Sequence, residues 1–200
     1  MKRLVVITVG KTHSGKTTFA RALEKELSHS LVIDQDNHAE FINTYYKNLL
    51  PIQGSNTLKH EISRLIIQYG KNHTNLQFII CNANRSRKDR RYLLEELFNQ
   101  NQFIRILVHF DIPDKVLQNR VTQSRRSTNI FRGATSFEEV LIRQQAESLK
   151  EDVSNPIEGE ANRLFVIKDN KEVEAVINHR EFTIKVKMGT PVVIVFREQL

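Results

Sequence analysis

Leu4-Val5-Val6-Ile7-Thr8-Val9-Gly10-Lys11-Thr12-His13-Ser14-Gly15-Lys16-Thr17-Thr18-Phe19 is the stretch on which the fold of this chain turns. Its first six residues are apolar or β-branched, as a strand covered on both faces would be. Gly10 to Thr17 then fit G-x-x-x-x-G-K-[ST], and Thr18 to Leu27 continue as a helix with Phe19, Leu23 and Leu27 on one stripe. Strand, glycine-bounded turn and helix start together predict a loop whose backbone N–H groups converge on phosphate oxygens at the positive end of a helix dipole. Gly10 and Gly15 permit a main-chain approach that a Cβ would block. Gly10, Lys11, Thr12, His13, Ser14, Gly15, Lys16, Thr17 and Thr18 are therefore the expected nucleoside triphosphate site. Lys16 reaches the β- and γ-phosphates as a point charge, and the Thr17 hydroxyl ligates Mg²⁺.

Length and composition set the bounds. Two hundred residues suit one compact domain with a small appendage, and the chain holds only 7 glycines and 4 prolines. A net charge of +7 favours anionic partners: nucleotides, phosphorylated metabolites or a nucleic-acid backbone. No apolar run is long enough to cross a membrane, and Met1-Lys2-Arg3 leads straight into the first strand, so no secretory signal is expected. Cys81, the only cysteine, fits a reducing cytoplasm and a buried, inert position.

Strand-like and helix-like segments alternate downstream. Strands are expected at 31–33, 77–81, 103–110 and 164–167, with helices at about 36–48, 58–69, 87–100, 113–123 and 137–150. This alternation predicts an α/β fold of three layers, a five-stranded parallel sheet flanked by helices, over 1–180. Residues 181–200 read as a C-terminal β-hairpin: 182–187 alternates, Met188-Gly189-Thr190-Pro191 turns, and Val192 to Phe196 is apolar. The second hairpin strand needs a cover, from its own domain or from another subunit. Ligands of such sheets sit beyond the carboxyl ends of the strands, where the glycine-bounded loop, Asp34, Asp36, Asn82, Asn84, His109 and Asp111 all fall.

Asp36 is the expected general base or orienter of an acceptor hydroxyl, with Asp34 a partner of the metal. The competing role, for Asp36 or Asn37, is to cap the next helix. Two arginine groups follow. Arg120, Arg125, Arg126 and Arg132 form an expected mobile loop, of which Arg120 and Arg125 are the expected phosphate contacts. Arg85, Arg87, Lys88, Arg90 and Arg91 form a surface face or an acceptor patch. Phe41, Tyr45 and Tyr46 have helical spacing and are expected in the core or a pocket wall.

With these residues in view, the chain resembles small P-loop kinases over about residues 3–168. It is similar above all to the group containing polynucleotide 5′-hydroxyl kinases and zeta-toxin-like kinases. Val32-Ile33-Asp34-Gln35-Asp36-Asn37 is similar to the strand end that carries the family base, which the match places at Asp36. Asp111-Ile112-Pro113 through Arg120 and Arg125 resembles its arginine lid, and Ile79-Ile80-Cys81-Asn82-Ala83-Asn84 its third strand end, with Asn82 where the family has aspartate. The resemblance implies an ATP- and Mg²⁺-dependent transfer of the γ-phosphate to a hydroxyl, with Lys16, Asp36, Arg120 and Arg125 catalytic. A small metabolite or nucleotide derivative is the expected acceptor. The alternatives are a polynucleotide 5′-hydroxyl kinase and a nucleotide-dependent switch. The hairpin offers a route to oligomers.

Overall fold

The computed structural model describes residues 2–179 and the backbone of 192–195. Eight residues of β1, Arg3–Gly10, form its centre. Leu4 and Val6 face one side of the sheet, and Val5, Ile7 and Val9 the other, so both packing layers draw on this one strand. That is why its sequence is continuously apolar rather than alternating.

The remaining strands are β2 (Ser30–Ile33), β3 (Gln77–Ile80), β4 (Phe103–Phe110), β5 (Arg163–Ile167) and β6 (Val192–Val195), in the spatial order β2-β3-β1-β4-β5-β6. All neighbours run parallel. The five expected parallel strands are thus present. Residues 192–195, expected as the second hairpin strand, extend the sheet in parallel beside β5, with Arg163 opposite Val192. The other expected hairpin strand, 182–187, and its turn lie outside the described residues.

Helices α1 (Lys16–Glu26), α2 (Gln35–Tyr45), α3 (Leu58–His73), α4 (Arg87–Arg91), α5 (Asp114–Thr122), α6 (Phe137–Glu147) and α7 (Val173–Ile177) make the outer layers. On one face Phe19, Leu23, Leu117, Phe137, Leu141 and Val176 pack on the sheet; on the other, Ile67, Leu94, Leu97 and Phe98 do so.

Several boundaries differ from those expected. α2 ends at Tyr45, followed by a 3₁₀ turn at Lys47–Leu49, and α3 runs on to His73. Pro113 precedes α5 instead of occupying its first turn. The helix expected over 87–100 is α-helical only to Arg91 and continues as a π-helical turn, Tyr92–Leu97. The wider turn buries Leu94, Leu97 and Phe98 together, and Arg105 donates to the Leu94 carbonyl at 2.8 Å. Phe41, Tyr45 and Tyr46 are not core: they are 45%, 71% and 48% exposed, with the Phe41 ring centroid 5.5 Å from that of Tyr45 and 5.3 Å from that of Tyr46. Helical spacing marks a face without saying which face meets the sheet.

Candidate functional site

β1 delivers Gly10 to the edge of the sheet, where its N–H donates to Ala83 O at 2.9 Å. A Cβ on Gly10, whose φ is +150°, would lie 2.9 Å from Phe110 O, so β4 leaves no room for a side chain. The loop then passes through His13 at φ 57° and Gly15 at φ 102° before α1 begins at Lys16. Left-handed His13 is held from both sides. Its Nδ1 is 3.0 Å from Thr12 Oγ1, its Nε2 is 2.8 Å from Ser124 Oγ, and its ring meets Phe137 edge-on at 4.6 Å. Burial, then the charges of Arg126 and Lys16, push its pKa down to about 4, so the ring stays neutral beside those cations.

Lys16 folds over the loop, Nζ donating to Lys11 O at 2.5 Å and to Ser14 Oγ at 3.2 Å. Burial lowers its pKa to about 8, against the opposing pull of Cys81, Asp36 and Asp34. The Lys11 side chain turns away, pairing with Asp114 at 2.5 Å. Thr17 Oγ1 accepts from Cys81 Sγ at 3.6 Å, and burial raises that thiol to about 12, consistent with the inert position expected of it. Thr17 and Thr18 face a cleft of about 1070 Å³ together with Thr12, His13, Gly15 and Lys16.

The opposite wall comes from the start of α2. Asp34, 4% exposed, caps that helix by accepting from Asp36 N at 2.9 Å. Burial and the neighbouring Asp36 raise its pKa. The capping role thus falls on Asp34, while Asp36 projects into the cleft and pairs with Arg126 at 3.2 Å. Asn82 also faces the cleft and accepts from Gln35 N at 3.1 Å, tying the β3 exit to the α2 start.

The arginines do not fall as expected. Arg126, not Arg125, lies in the cleft wall, its guanidinium 5.2 Å from the Phe137 ring centre. Arg125 is exposed and outside that wall. Arg120 sits behind the phosphate loop, donating to His13 O at 3.2 Å and Asn170 Oδ1 at 2.7 Å. Arg90 of the other group is fully buried against Glu160 at 2.5 Å, so that group is not wholly a surface face. Gln144 of α6, which the sequence does not flag, accepts from Thr12 N at 2.7 Å. The loop over 124–134 reaches across to α2, where Asn43 donates to Phe131 O at 3.2 Å.

Among the described residues no cluster of three His, Cys, Asp or Glu side chains could hold a metal by itself. Of the two expected magnesium partners, Thr17 faces the cleft, whereas Asp34 is engaged in capping α2 and is not among the residues that line it. A glycine-bounded loop between a central parallel strand and a helix, with Lys-Thr at the helix start, is the architecture of P-loop proteins.

The chain belongs to the AAA-domain family. Residues 5–151 match that family. No curated protein is similar enough to count as a relative. Solved structures share the fold. A shikimate kinase from Bacteroides thetaiotaomicron superposes with a TM-score of 0.54 at 16% identity, covering 90% of this chain and 98% of its own. Kti12 from Chaetomium thermophilum, solved with ADP-AlF3, gives 0.54 at 18%, covering 87% and 95%. A gluconokinase from Sinorhizobium meliloti gives 0.52 at 17%, covering 90% and 91%. This AAA-domain chain thus has the fold of small P-loop kinases, and none of its described helices is long and apolar enough to cross a membrane.

Proposed function

We propose that this AAA-domain protein transfers the γ-phosphate of ATP to a hydroxyl of a small metabolite or nucleotide derivative. The observation that carries the reading is the Asp36 carboxylate facing the same cleft as Lys16 and Thr17, with Arg126 bound to it. The Thr17 hydroxyl would hold the magnesium that accompanies ATP, and that ion would supply neutralisation of phosphate charge. Lys16 Nζ leaves Lys11 O for the β- and γ-phosphate oxygens, and Arg126 leaves Asp36 for the transferring group. Asp36 then accepts the proton of the acceptor hydroxyl as its oxygen bonds to phosphorus. The bond from phosphorus to the bridging oxygen breaks, and ADP departs with that electron pair. The kinases among the structural neighbours support the reaction class, and Asp36 supports a hydroxyl acceptor.

Labelled γ-phosphate offered with a metabolite extract, and separately with a 5′-hydroxyl oligonucleotide, tests the proposal. The expected result is a labelled small molecule, with transfer reduced about 10²- to 10⁴-fold by Asp36→Asn while ATP still binds. Label on the oligonucleotide alone would shift the acceptor to a nucleic-acid end. No labelled product in either arm would remove the transferase reading.

A further inference from the structure

Asn170 lies 155 residues beyond Gly15 in sequence and touches it. It opens the 3₁₀ turn Asn170–Glu172 after β5, where Asp169 accepts from Lys171 N at 2.9 Å. Asn170 Nδ2 donates to Ser14 O at 3.0 Å, and its Oδ1 accepts from Arg120 at 2.7 Å. Arg120 in turn donates to His13 O at 3.2 Å. Only one amide orientation satisfies this pair, because guanidinium N–H groups only donate and a carbonyl only accepts. The brace occupies the space that a Gly15 Cβ would need: such an atom would stand 2.1 Å from Asn170 Nδ2.

A trans peptide points its C=O and N–H in opposite directions, and every described peptide here is trans. Anchoring the carbonyl of His13 therefore sends the Ser14 N–H the other way. Anchoring the carbonyl of Ser14 does the same for the Gly15 N–H. The backbone of such a glycine-bounded loop, with its lysine, cradles the β- and γ-phosphates of its ligand. In free solution each peptide could rotate, and the Gly15 backbone, at φ 102°, has the freedom to do so. The arrangement fixes both peptides before any ligand arrives, which lowers the ordering cost of binding.

We propose that Asn170, backed by Arg120, is a positioning residue for polyphosphate binding: it holds the His13 and Ser14 carbonyls outward so that the Ser14 and Gly15 amides face the phosphates. The role requires only the nucleotide-binding part of the function proposed above, not phosphoryl transfer. It also gives Arg120 a different place from that of an arginine which closes over the γ-phosphate.

Calorimetric titration of Asn170→Ala with ADP·Mg²⁺ and with AMP, beside thermal melts, tests the role. Two lost hydrogen bonds and a freed peptide predict about tenfold weaker ADP binding. AMP has no β-phosphate, so its affinity should change by less than about twofold on the same reasoning. Arg120→Ala removes the same brace from the other side and should give the same split between ADP and AMP. ADP affinity unchanged in both variants overturns the proposal. So does an equal loss for ADP and AMP, which would mark a contact to the base or a general structural defect. Wild-type protein that binds no ADP overturns both this role and the proposed function. Intact ADP binding with no acceptor phosphorylated overturns the transferase alone.

Discussion

Lys16 is the residue at which binding and stability pull apart. Burial lowers its pKa to about 8, from the 10.5 of a free lysine. The folded protein therefore releases this proton more readily than the unfolded chain, and between about pH 8 and the unfolded value the unfolded chain holds more protons. Stability should rise through that window as pH rises, because the buried charge is what costs. Phosphate binding has the opposite need, since only the ammonium form attracts the anion. ATP affinity should accordingly stay level below about pH 8 and fall above it, as a titration series from pH 6 to 9.5 would reveal. A flat profile across that range would mean that the ammonium contributes little. Lys16→Met should lose ATP binding and melt at a higher temperature than the parent at pH 7, since it replaces a desolvated cation by an apolar side chain of similar length. A lower melting temperature would show that the bonds from Nζ to Lys11 O and Ser14 Oγ outweigh desolvation.

At the scale of elements, the start of α2 and the loop after α5 meet through one ion pair, Asp36 with Arg126. In the proposed transfer each partner is wanted elsewhere, Arg126 by phosphate and Asp36 by a hydroxyl, so on that reading the pair holds the two in reserve until ATP competes for the guanidinium. The two side chains are 44% and 41% exposed, so solvent screens the pair and it is easily exchanged. Asp36→Asn should leave ATP affinity equal or tighter, because Arg126 no longer has to leave a carboxylate. Arg126→Ala should weaken ATP binding and lower kcat about 10²-fold or more, as loss of a transition-state charge partner does. Tighter ATP binding by Arg126→Ala would rule out a phosphate role. That the basic loop borders the cleft could be expected from composition, but which of the adjacent arginines lies in its wall could not. Residues 124–134 have no regular period to assign sides, so Arg125 and Arg126 look equivalent until the Phe137 ring and Asp36 select one. β1 and α1 were legible because a strand covered on both faces and an amphipathic helix leave unmistakable patterns. Asn170 was not: a single asparagine after a strand carries no signal of a loop 155 residues away that it will touch.

Across the whole molecule, the order β2-β3-β1-β4-β5 brings every strand exit to one edge, so loops distant in sequence must be held in a common frame. Arg90 is one of the ties. Its side chain is fully buried, with Nε 2.5 Å from Glu160, and NH1 donates to Asn84 O at 3.3 Å, Arg85 O at 2.9 Å and Ser154 O at 2.9 Å. It thereby joins the β3 exit to the segment before β5. Asn84 itself sits at φ 45° and donates to Thr8 O at 2.9 Å, so the exit that carries Asn82 to the cleft is fixed from both β1 and Arg90. Removing the guanidinium leaves Glu160 largely buried without its cation and three carbonyls without a donor. Arg90→Ala should cost about 3 to 5 kcal/mol, the range for breaking a buried pair by removing one partner. For a chain of this length that is a fall of roughly 6 to 20 °C in melting temperature. Arg90→Met with Glu160→Gln should recover part of the loss, since the stranded charge is gone while volume is kept. If Arg90→Ala melted within about 2 °C of the parent, equivalent to under 1 kcal/mol, water would be replacing the guanidinium and the tie would be dispensable. If the double variant were no better than Arg90→Ala, the orphaned carbonyls, and not the lone carboxylate, would account for the cost.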